Sequence, residues 1–106
     1  MATFLIQGTY TAEGAKGLIK EGASGRKAAV QKALEGLGGT LNSIYYTFGA
    51  DDVIVICDMP DAISGLALSL AVNASGAVRI STTPLLSVEE VDAACKKAVS
   101  YRPAGA

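Results

Sequence analysis

Asp52-Val53-Ile54-Val55-Ile56-Cys57-Asp58-Met59 is the stretch whose reading decides the fold. Successive side chains of a strand point to opposite faces, so Val53, Val55 and Cys57 share one side while Ile54 and Ile56 share the other. A strand with one wetted face alternates polar with apolar residues, and this one does not. It belongs in the middle of a sheet, with apolar cover expected on both sides.

Upstream lies Gly49-Ala50-Asp51, a turn of hairpin length, preceded by Thr40–Phe48, rich in strand-favouring residues. Downstream, Pro60 suits the first turn of a helix, expected over Pro60–Asn73 with Ile63, Leu66, Ala67 and Leu70 toward the core and Leu68 and Val72 off that stripe. Ala77–Thr83 reads as an alternating strand that Pro84 breaks. Ser87 and Glu90 form a capping-box pattern for a last helix, Ser87–Ser100, striped by Val88, Val91, Cys95 and Ala98.

Toward the start of the chain, Ala2–Tyr10 is a strand apolar on both sides. Thr11–Gly25 is a glycine-punctuated connection with room for a short helix that tucks Leu18 and Ile19 inward. Ser24 is the expected N-cap of a helix over Gly25–Leu37, striped by Val30, Ala33, Leu34 and Leu37 and stopped by Gly38-Gly39. The order β-α-β-β-α-β-α describes an α+β domain of ferredoxin-like βαββαβ type with an extra C-terminal helix. Two crossovers joined by a hairpin imply a four-stranded antiparallel sheet in the order 4-1-3-2 with both crossover helices on one face. One domain is expected over residues 1–100, with a frayed tail over 101–106.

The chain's 106 residues suffice for one core, and half of them are apolar. Nine basic against ten acidic residues is the wrong balance for a protein that lives on phosphate contacts, so neither nucleic acid nor an anionic membrane is expected as partner. With no histidine and only Cys57 and Cys95, no metal site and no cofactor is expected. Both cysteines read as reduced core residues. The start MATFLIQGTY lacks the basic region of a signal peptide, and the most apolar window, Ala62–Val78, is shorter than the ~20 residues of a membrane span. A cytoplasmic protein is expected.

Two crossover helices cover one face of such a sheet. Leaving Ile54 and Ile56 wet on the other would forgo ~1.5–3 kcal/mol each, so a homo-oligomer is expected, with a second copy over the open face.

The run Tyr45-Tyr46-Thr47-Phe48-Gly49-Ala50-Asp51-Asp52-Val53-Ile54-Val55-Ile56 resembles the signature region of the GYD-domain family, small bacterial proteins named for a Gly-Tyr-Asp-like motif at this turn. The resemblance spans roughly Thr3–Ala94 and includes Tyr10-Thr11, the Ala23–Leu37 helix and Val78–Pro84. Gly49 and Asp52 fit the motif; Asp51 stands where the family has tyrosine, so no role of a phenol there carries over. The resemblance implies a ferredoxin-like fold assembled as a dimeric α/β barrel and implies no particular activity.

Five residues are candidates for a ligand site: Asp52, Arg79, Tyr45, Tyr46 and Gln7. Asp51 and Asp52 offer a carboxylate as proton acceptor or ordinary turn chemistry. Arg79 offers a bidentate fork for a carboxylate or phosphate, or an edge charge against unwanted pairing. Tyr45 and Tyr46 fall on opposite faces, each a hydrogen-bond donor or a packed interface residue. Lys16, Lys20, Arg26 and Lys27 surround a helix start that suits an anion, though without phosphate-loop spacing. Two readings stay open. One is a small-molecule binder whose pocket, between sheet and partner, is lined by Gln7, Thr9, Arg79 and Ser81. The other is a cofactor-free enzyme using Asp52 with Arg79 or a tyrosine.

Overall fold

The computed structural model describes residues Met1–Ala106. In chain order it contains β1 (Ala2–Tyr10), α1 (Ala12–Glu21), α2 (Ala23–Gly36), β2 (Thr40–Tyr46), β3 (Val53–Met59), α3 (Ala62–Ala74), β4 (Val78–Leu85) and α4 (Val88–Cys95). The strands form one antiparallel sheet ordered β2-β3-β1-β4, the expected order read from the opposite edge. No helix is long and apolar enough to cross a membrane.

The core follows from the parity of the two central strands. Phe4 and Ile6 of β1 and Val53, Val55, Cys57 and Met59 of β3 face the helices and are buried with Leu34 of α2. Burial pushes the Cys57 thiol above its ordinary pKa. Cys95, expected inside, is exposed. On the opposite face Leu5, Ile54 and Ile56 are only half-buried, screened by strand neighbours such as the Leu5–Ile56 pair.

The first connection is more regular than its glycines suggest. Thr11 caps α1, accepting from the Gly14 N–H at 3.2 Å while donating to the Gly76 carbonyl at 2.8 Å. It thereby ties the start of α1 to the entrance of β4. Gly22, at φ 85°, ends α1 and begins α2. This positive φ is a conformation only glycine adopts cheaply. Ser24 is therefore inside α2 and caps nothing, and Ile19, on the outer side of α1, is exposed.

Four further boundaries differ from expectation. β2 stops at Tyr46 because Thr47 turns to close the loop, its N–H donating to the Asp52 carbonyl at 2.8 Å. α3 starts after Pro60, with Asp61 as N-cap accepting from the Ser64 N–H at 2.8 Å. That bond holds the Asp61 carboxyl below its usual pKa. β4 runs through Pro84, opposite Phe4. Ile80 turns its N–H and carbonyl to the Asn73 side chain, at 2.8 and 3.2 Å, beyond the sheet edge. Pro84 has the same parity, so its missing N–H falls on the free edge, where proline is tolerated. α4 keeps its capping box but ends at Cys95, and none of its residues is buried.

The largest correction concerns α3. Ile63, Leu66 and Leu70, expected on the core side, are 79, 59 and 62 % exposed. Gly65 is buried against the sheet, and Leu68 and Val72 are half-buried beside it. The helix has no charged residue from Ala62 to Ala74, so no polar stripe marks its outer side. Close packing on Gly65 decides the orientation instead.

Candidate functional site

Strand register assembles part of the expected site on the open face of the sheet. Tyr45, Ile54, Gln7 and Ser81 form one row across all four strands, and Arg79 sits opposite Thr9 two residues further along. The Gln7 amide donates to Asp51 at a long 3.4 Å. Gly49 lies in the exposed loop after β2, its N–H donating to Thr47 Oγ1 at 3.2 Å.

Asp52 does not join this row. Its N–H donates to the Gly8 carbonyl and its Oδ2 accepts from the Tyr10 N–H, both at 2.8 Å. These two bonds pin the hairpin loop to the end of β1, and no hydrogen bond or ion pair links Asp52 to Arg79 or to a tyrosine hydroxyl. Asp58 does face the open side with Thr3, whose hydroxyl donates to it at 2.6 Å. That bond, with a second from Asn42, holds the Asp58 carboxyl below its ordinary pKa.

Tyr46 takes the other parity. Paired with Val53, it falls on the helix side, where it meets residues that no strand pattern singles out. α2 packs on β2, and α3 packs on β3 and β4, leaving a pocket of about 120 Å³ over the central strands. Ile6, Val53 and Val55 form its floor, Val30 and Leu34 one wall, Leu68 and Val72 the other. Ala29 and Ala33, one turn apart on α2, keep that wall short. Arg26 is the sole charged residue of the lining, beside Tyr10 and Tyr46. Partial burial of a residue that stays 37 % exposed, and next its hydrogen bond with the Tyr10 side chain, push the Tyr46 phenol up to about 12. It thus stays a protonated donor at neutral pH. Arg26 also meets Glu21 at 3.7 Å, a loose pair that leaves guanidinium N–H groups free. Toward α1 the pocket adjoins a wider cleft of about 420 Å³ that shares Tyr10, Arg26, Leu68 and Val72 and adds Glu13 and Glu21.

An apolar chamber ending in a guanidinium and two phenols suits an apolar molecule with one anionic or accepting group. In the sequence Arg26 is one of four basic residues near a helix start, and Tyr46 one of two adjacent tyrosines. The i, i+4 alanines were the available signal for a short wall. Elsewhere, no group of three or more His, Cys, Asp and Glu side chains is close enough together to hold a metal ion.

The family model described as GYD domain matches residues 4–95, and the chain belongs to that family. No curated protein and no solved structure matches it.

Proposed function

We propose that this GYD-domain protein is a non-catalytic binding domain for a small apolar molecule with an anionic end, held between the sheet and helices α2 and α3. One observation carries the reading: the pocket of about 120 Å³ has fourteen hydrophobic lining residues and a single charge, Arg26. An apolar cavity of about 150 Å³ holds a benzene-sized guest, so the chamber suits a ring or a short branched chain. Its anionic group would meet Arg26 at the tyrosine end of the pocket. The engagement of Asp52 with the Tyr10 N–H supports binding over proton transfer, because that carboxylate is already used to fix the hairpin.

The test is an NMR titration with benzoate and with benzyl alcohol, its uncharged near-isostere. Both are expected to shift the Ile6, Val53 and Leu68 methyls. Arg26→Gln is expected to weaken benzoate about tenfold, the equivalent of ~1.4 kcal/mol, and to leave benzyl alcohol unchanged. Methyl signals unmoved at millimolar benzoate would sink the reading.

A further inference from the structure

Two opposite charges meet where α1 gives way to α2. Glu21 is the last residue of α1, and Arg26 lies near the start of α2. Gly22, at φ 85°, turns the chain between them. Gly25 leaves the space that the Glu21 side chain occupies, because a Cβ built on Gly25 would come within 2.7 Å of Glu21 Cγ and 3.2 Å of its Oε1. The carboxylate thus folds back along the start of α2 and stands 3.7 Å from Arg26 Nη1, farther than a hydrogen bond. Both charges act on the Tyr46 phenol, Arg26 lowering its pKa and Glu21 raising it, so both lie near the tyrosine end of the pocket.

Arg26 lines both the chamber over the sheet and the cleft toward α1, whereas Glu21 lines the cleft alone. A guest seated in the chamber with its anionic group on Arg26 therefore meets Glu21 on the cleft side. The charges of the two linings are Glu13, Glu21 and Arg26, two carboxylates and one guanidinium. Glu13 is strongly exposed and has its own cation, Lys16, at 3.7 Å. Glu21 has only Arg26. A plain anion that takes over Arg26 is left beside the Glu21 carboxylate, and the two repel. A guest that carries a cation next to its anion removes that repulsion and gives Glu21 a new partner. An α-amino acid is such a guest, since its ammonium and carboxylate share one carbon.

We infer that the site takes an α-amino acid with an apolar side chain: the side chain fills the chamber over the sheet, the carboxylate lies on Arg26 and the ammonium on Glu21. This rests on the pocket reading proposed above and names its ligand class. The chamber of about 120 Å³ limits the side chain to one ring or a short branched chain. The adjoining cleft of about 420 Å³, with Gly14 and Gly17 of α1 in its lining, has room for the charged end.

The experiment is an NMR titration of the full chain at neutral pH with matched probes. L-Phenylalanine is compared with 3-phenylpropionate, which lacks the ammonium, and with phenethylamine, which lacks the carboxylate; benzoate is the control for the pocket itself. Phenylalanine is expected to shift the Ile6, Val53 and Leu68 methyls and to bind about tenfold tighter than either partial analogue. Glu21→Gln is expected to weaken phenylalanine about tenfold and to tighten 3-phenylpropionate about twofold, opposite signs that loss of a merely structural contact would not produce. Phenylalanine no tighter than 3-phenylpropionate or phenethylamine, or both acids weakened alike by Glu21→Gln, would overturn the inference, while benzoate-induced shifts would leave the pocket reading standing. Methyls unmoved by benzoate and by phenylalanine would end both.

Discussion

Gly65 of α3 lies against the ring of Phe4: a Cβ built on it would come within 2.9 Å of Phe4 Cζ and 3.0 Å of Cε2. Phe4 is itself buried in the core, so its ring has little room to retreat. Gly65→Ala is expected to destabilise the fold by ~1–3 kcal/mol through overpacking, despite a helix-propensity gain of up to ~1 kcal/mol. Gly17 in α1 is the matched contrast, because a Cβ there meets open space. Gly17→Ala is expected to stabilise by up to ~1 kcal/mol. Urea unfolding midpoints read both signs, and a Gly65→Ala protein more stable than wild type would contradict the orientation of α3.

Ala33 keeps the pocket wall short without being part of the packed core. Ala33→Leu is expected to fill the chamber, abolish the benzoate-induced methyl shifts and change stability by less than ~1 kcal/mol. Retained benzoate binding in a folded Ala33→Leu protein would show that the guest sits elsewhere.

The Tyr46 phenol is raised from 10.0 to about 12 in the folded protein. Its folded pKa exceeds its unfolded one, so the associated stability is complete below pH 10 and is lost as pH rises toward about 12. Unfolding midpoints are expected to fall across that window, and Tyr46→Phe is expected to flatten the fall. An ultraviolet titration that finds every tyrosine ionising near the ordinary value would contradict this assignment.

Asp58 behaves with the opposite sign. Hydrogen bonds from Thr3 and Asn42 lower its folded pKa, so their stabilisation is present above the unfolded carboxylate value and lost as pH falls through the folded one. Thr3→Val is expected to cost at most about 1 kcal/mol at neutral pH after solvent screening and to reduce the loss on acidification. Carboxyl NMR titration of Asp58 is the direct check, with an unchanged pKa in Thr3→Val as the contrary result.

Apart from α1, which the sequence offered only as a short helix within a connection, the element order, the sheet order and the two-sided apolar character of β3 were legible from local patterns. Alternation along β1 and β3 reports which residues share a face, and the Ser87–Glu90 cap and Gly38-Gly39 stop are short-range devices. The orientation of α3 was not legible, because a helix without charges carries no mark of its wet side; only contact between Gly65 and Phe4 selects it. Asp52 looked like chemistry in the sequence and became a staple through Gly8 and Tyr10, residues some forty positions away. The pocket arose likewise from where two helices settle on a sheet, bringing Arg26, Tyr10 and Tyr46 together from three elements. Periodicity encodes what lies along one strand or helix, while the choice among equally apolar helix faces, and the meeting of distant polar groups, are settled only when the elements pack.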